Sequence, residues 1–226
     1  MRISVAFLLV FATLTLRAGA EDLLLSLFES RYSTAHTLEA SFLERYRENG
    51  QVVRAEAGEA YFLRPGRMRW DYKAPEKNTF LVDGKYVWFY SPADHTVTRM
   101  PVKRSEDWRT PLAFLTTHMK LSRLCAKIES ARHEKPAKPD GTLYRCTLHG
   151  SGDSTSPPAR SVLFEVSPEG DLDRIVVPQE GGIELEFSFT AWRWDPKLDP
   201  SVFQFVPSRD TVMVEGMLPD TPGLRQ

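Results

Sequence analysis

The side chains that carry chemistry are present in this sequence, but they are scattered. The five histidines are His36, His95, His118, His133 and His149. None stands at a metal-binding spacing from another histidine, a cysteine or a carboxylate. There is no Gly-x-Ser-x-Gly elbow to expose a nucleophilic serine and no glycine loop of the phosphate-binding kind. Gly150-Ser151-Gly152 reads as a turn or linker. Glu184 and Glu186 lie two residues apart and so share one face of a strand. Paired carboxylates could use that geometry for acid–base work, but it equally describes a solvated face, which is the preferred reading. The pattern supports no enzyme, and neither a metal nor a cofactor is expected.

One charged residue stands out. Arg64 closes a strand on which Ala60 and Phe62 share its face, and Pro65 ends that strand. On a concave face, its five donors would stand at the rim of an apolar hollow and need acceptors. On a convex face, it would be a surface arginine solvating the strand end.

The elements that must position these residues begin with an export signal. Arg2 opens it, Val5 to Leu16 is apolar, and Ala18-Gly19-Ala20 has the small residues of a cleavage site. The run is too short for a membrane span. Residues 1–20 are therefore expected to be removed, leaving 21–226 as a single soluble domain. Removing 1–20 takes away Arg2 and Arg17 and leaves 27 basic residues against 30 acidic, a net charge of −3. That balance gives no reason to expect nucleic acid as a partner. In an exported chain, the two cysteines, Cys125 and Cys146, read as one disulfide, with two buried thiols as the alternative. The bond would close a loop of about twenty residues and contribute about 3 kcal/mol.

Most of the chain is strand. In residues 67–72, Met68, Trp70 and Tyr72 alternate strictly with Arg67, Arg69 and Asp71. Asp83-Gly84, between Phe80-Leu81-Val82 and Lys85 to Tyr90, predicts a two-residue hairpin turn. Leu38 to Arg45 alternates likewise, as do Ile183, Leu185, Phe187 and Phe189 with Glu184, Glu186 and Ser188. Residues 161–166 and 171–177 form a further hairpin. Asp22 to Ala35 is predicted as a helix with Leu24 and Phe28 on its apolar face, widened by Leu23 and Leu27. Thr110-Pro111 starts a second, short helix whose stripe contains Leu112, Leu115 and Met119. The aromatic content of 58–90 exceeds what packing a small sheet requires. Phe42, Phe62, Met68, Trp70, Tyr72, Trp88 and Tyr90 read either as an ordinary core or as the lining of an apolar cavity. In the second reading Leu24, Phe28, Leu112 and Leu115 cover it.

The stretch Leu63-Arg64-Pro65-Gly66-Arg67-Met68-Arg69-Trp70-Asp71-Tyr72, then Val82-Asp83-Gly84, then Trp88-Phe89-Tyr90, resembles the bacterial outer-membrane lipoprotein carrier family of LolA type. More loosely, the resemblance runs from about Leu23 to about Val214. It implies an α+β, mainly β fold: an incomplete antiparallel half-barrel with an N-terminal helix and a short helical lid over an apolar cavity. It also implies a periplasmic carrier, a monomer, that shelters lipoprotein acyl chains. Such a carrier takes acylated lipoproteins from an inner-membrane ABC-type exporter to an outer-membrane acceptor. Arg64 matches the arginine that latches the family's lid shut. A module of the same fold for another lipid is the alternative, and a lipid hydrolase lacks its nucleophile.

Overall fold

The computed structural model describes residues 23–102, 115–116, 120–149 and 161–215. A helix over 23–34, α1, precedes twelve strands. These are β1 (Thr37–Glu48), β2 (Gln51–Leu63), β3 (Arg67–Ala74), β4 (Thr79–Val82), β5 (Tyr86–Ser91), β6 (Thr96–Pro101), β7 (Cys125–Ser130), β8 (Thr142–Leu148), β9 (Ser161–Val166), β10 (Leu172–Pro178), β11 (Ile183–Trp194) and β12 (Val212–Glu215). One helical turn, α2 (Leu121–Leu124), leads directly into β7.

All twelve strands form one sheet in the order β12-β6-β5-β4-β3-β2-β1-β11-β10-β9-β8-β7. Two meanders, β1–β6 and β7–β11, are joined through the antiparallel pair β1 and β11. Only β12 runs parallel to its neighbour, β6. The edge strands β12 and β7 do not pair with each other, so the sheet stays open.

The sheet is nevertheless strongly curled. Trp70 on β3 and Phe187 on β11 are three strand spacings apart along the sheet, about 14 Å if it were flat. Their ring centroids lie 5.6 Å apart. Gly58 helps the sheet bend: the register of β2 on β3 shifts between Ala57 and Gly58, and a Cβ at Gly58 would collide with the Asp71 carbonyl.

The alternation of the sequence appears as alternating burial in β1 and β3. Several expectations need correction. Residues 83–85 make a three-residue link, and only Gly84 has positive φ (97°). Asp83 instead binds the turn through its carboxylate, which accepts the N–H groups of Lys85 and Tyr86 at 2.7 Å. β7 was not anticipated; its pattern is that of a mostly exposed edge. Leu23 and Leu27 of α1 are exposed and do not widen its buried stripe. Glu186 is not on a wet face. It is buried among Arg45, Arg47 and Arg174, with nitrogen–oxygen distances of 2.6, 3.4 and 3.4 Å. Residues 1–20, Thr110-Pro111, Leu112 and Met119 lie outside the described residues.

Candidate functional site

The concave face is lined from both meanders. Phe42, Phe62, Met68, Trp70 and Tyr72 are all buried in one cluster with Phe164, Phe187 and Phe189 from β9 and β11. Trp70 is the hub, with rings of Phe42, Phe62, Phe187 and Phe189 between 4.7 and 6.0 Å away. Polar groups are few here. Glu44 also turns inward, and its Oε2 accepts the Tyr72 hydroxyl at 2.8 Å.

Trp88 and Tyr90 were expected in this lining and are not there. With Leu81, Val97 and Phe203 they belong to a second cluster. On β5, Val87 and Phe89 enter the concave cluster, so the alternate residues 86, 88 and 90 face the other way. All three positions 87–89 are buried because both faces are covered, and this removes the alternation that would have assigned them.

Two elements cover the hollow. From α1, Phe28 stacks on Phe164 at 5.6 Å, and Tyr32 meets the edges of Trp192 and Trp194 at 5.5 and 4.8 Å. Leu24 packs against the same cluster, half-buried. The Tyr32 oxygen accepts the Leu172 N–H at 2.9 Å, and burial raises its phenol well above the ordinary value. Arg31 donates to the Glu169 carbonyl at 2.8 Å, pairs with Asp171 at 3.1 Å and lies over Trp194. The C-terminal half of α1 is therefore tied down, while Leu23 and Leu27 at its start stand in solvent. The second cover is Leu115, fully buried in the concave cluster.

The Arg64-Pro65-Gly66 turn touches both covers. Arg64 is 7% exposed, and its Nη1 donates to the Ala35 carbonyl, just past α1, at 2.6 Å. The Gly66 N–H donates to the Thr116 carbonyl at 2.8 Å. Among the described residues, the Arg64 guanidinium thus binds one backbone carbonyl, that of Ala35. Its Nε and Nη2 have no partner among the described residues. Burial lowers the pKa of the guanidinium, against the opposing fields of Asp195 and Tyr32.

Cys125 and Cys146 form a disulfide, with Cα atoms 5.4 Å apart, stapling β7 to β8. Both line a void with Phe28, Leu121 and Phe164 of only about 10 Å³, no more than one water needs. Among the described residues, α1, α2 and β7–β10 leave little space at this point. Sequence reasoning missed Phe164 and Trp192 as lining. Phe187 and Phe189 were legible as one apolar face, but not as partners of Trp70. Among the described residues, no group of three metal-binding side chains occurs, and no helix is long and apolar enough to cross a membrane.

An open, curled sheet with a helix laid over an aromatic concave face defines an incomplete barrel built around an apolar hollow. The profile of the family "Outer membrane lipoprotein carrier protein LolA" matches residues 33–206, and the chain belongs to that family. Among its relatives is an "Outer-membrane lipoprotein carrier protein" of Nitrosomonas europaea, 26% identical over 211 residues, covering 89% of this chain and 93% of that one. Another of the same name, from Proteus mirabilis, is 23% identical over 180 residues, covering 79% and 82%. In fold, the chain is similar to an uncharacterized conserved protein from Thermus thermophilus. That likeness has a TM-score of 0.52 at 13% identity, with 87% of this chain and 99% of that one covered.

Proposed function

We propose that this protein is a periplasmic carrier of lipoproteins that works without a bond-making step. It is exported by the signal at residues 1–20. It receives acylated lipoproteins from an inner-membrane ABC-type exporter and yields them to an outer-membrane acceptor. The observation that carries this reading is the cover: the aromatic face inside the curl is closed by α1 and Leu115, elements outside the sheet that can leave it.

Exposing an acyl chain of about sixteen carbons to water costs ~0.8 kcal/mol per methylene, roughly 12 kcal/mol per chain. A carrier must offset most of that and still let go. Exchange meets both needs. Cargo displaces Phe28 from Phe164 and Leu115 from the concave cluster, and release lets them return. Burying a side chain of this kind is favourable by about 1.5–3 kcal/mol, so the return of these two recovers about a quarter to a half of the cost of one lipid chain. Arg64 biases the exchange as a latch, through its bond to the Ala35 carbonyl where α1 ends.

Purification from the native periplasm followed by mass spectrometry of bound material tests the reading. Triacylated lipoprotein is the expected finding. Free lipid alone, or steady hydrolysis of an ester substrate, would replace this function with another.

A further inference from the structure

The outer face of the sheet carries a cleft of its own. Residues of β3, the β4–β5 turn, β5 and the stretch 203–205 enclose about 470 Å³, the size class of ligand sites, about 300–1,000 Å³. One wall is aromatic: Trp88 and Phe205 stack with centroids 5.3 Å apart, and Tyr86 meets Trp88 edge-on at 5.9 Å.

The charges at this wall are not balanced. Asp83 is engaged within its own turn, its Oδ1 by two backbone N–H groups and its Oδ2 by the Trp88 indole N–H at 2.8 Å. Arg67 is exposed and has no hydrogen bond or ion pair among the described residues; its Cγ would lie 3.9 Å from a Cβ at Gly84. Lys85 also makes no ion pair among the described residues, its ammonium resting 4.9 Å over the Tyr86 ring. Two cations thus stand beside an apolar wall with no anion assigned to them.

The backbone beside the cleft is also open. Gln204 is extended (φ −121°, ψ 132°), and residues 204–208 belong to no strand or helix. Among the described residues, no backbone hydrogen bond joins Phe205 or Val206 to a neighbour, and Val206 is 82% exposed. Open N–H and C=O groups beside apolar and cationic side chains are the elements by which extended peptides are bound.

We propose that this cleft binds a short acidic, aromatic-bearing peptide segment of a partner protein. A carboxylate of the segment pairs with Arg67 and Lys85, an adjacent ring packs on the half-buried Phe205, and its backbone bonds to residues 205–206. A free inorganic anion would use the cations and leave the wall and the backbone bare. A membrane surface needs a broader basic field than two residues on a chain of net charge −1.

The site lies on the face opposite the hollow, so it can be tested apart from cargo. The probe is a fluorescein-labelled eight-residue peptide of alternating Glu and Phe, titrated into the full-length protein and followed by anisotropy. Expected are saturable binding, at least tenfold weaker binding to the Arg67→Glu/Lys85→Glu variant and weaker binding to Phe205→Ala. Loading of a triacylated lipopeptide should be equal in all three proteins. Equal peptide affinity in the double variant, or equally tight binding of a Lys–Phe peptide, would overturn the proposal. So would phosphatidylglycerol vesicles or inorganic phosphate binding in an Arg67- and Lys85-dependent way where the peptide does not.

Discussion

The two faces of β5 are built from the same kind of residue and are closed in different ways. Val87 and Phe89 point into the curl and join the concave cluster that also holds Phe28 of α1 and Leu115. Tyr86, Trp88 and Tyr90 point outward, packed against Leu198, Val202, Phe203 and Phe205. There the turn Pro200–Phe203 is capped by Asp199, which accepts the Ser201 N–H, and held by Arg69, which donates to the Val202 carbonyl at 3.0 Å. The Arg99 guanidinium lies over the rings of Tyr86 and Trp88 at 4.9 and 5.5 Å. Apolar composition therefore does not mark a lipid site by itself. On the proposed reading, what marks it is a cover that cargo displaces.

The largest expected effect separates the two tryptophans. Trp70→Ala removes a ring that touches four others and should cost about 3–5 kcal/mol, read from denaturant midpoints. Trp88 meets only Tyr86 and Phe205 among aromatic partners here, and Trp88→Ala should cost less than half as much. Equal losses would erase the distinction between the faces. Next in size is the staple at the edge of the curl: a Cys125→Ser/Cys146→Ser double variant should lose about 3 kcal/mol.

Arg64→Leu sharpens the contrast at smaller cost. The variant loses one charge-assisted bond but also two buried donors that have no partner, so stability should move by no more than about 1.5 kcal/mol. Loading should persist while release to an acceptor slows. Arg67→Leu, on the outer face, should leave release unchanged. Wild-type transfer by Arg64→Leu would remove the latch from the account.

The smallest effect concerns the tether of α1. Burial raises the Asp171 carboxyl above its ordinary value of 3.8, against the pull of Arg31. The folded state therefore holds this proton more tightly than the unfolded chain does. Its stabilising contribution is full below that ordinary value and is lost as pH rises through the raised folded-state value. Asp171→Asn should flatten that part of the stability profile, measured by denaturant titrations from about pH 3 to about pH 6.

Much of the sheet was legible because alternation is a local property. Residues 67–72 assign their own faces, and so do 37–48. Legibility ended where both faces are buried, as at 87–89, because no polar residue marks the outside. Glu186 was misread for a related reason: its arginine partners lie on β1 and β10, and no spacing along the chain announces them. Arg64 was found from its place at the end of a strand, but its acceptor at Ala35 depends on how α1 docks. The outer cleft escaped notice because Phe205 reaches Trp88 across more than a hundred residues of chain.

A photo-crosslinking measurement tests the central claim most directly. Benzoylphenylalanine is placed at position 62 inside the curl or at position 88 outside it, and the protein is irradiated with lipoprotein bound. The account predicts crosslinks to the acyl chains from position 62 and none from position 88. Crosslinks from 88, or none from 62 while cargo is bound, would contradict it.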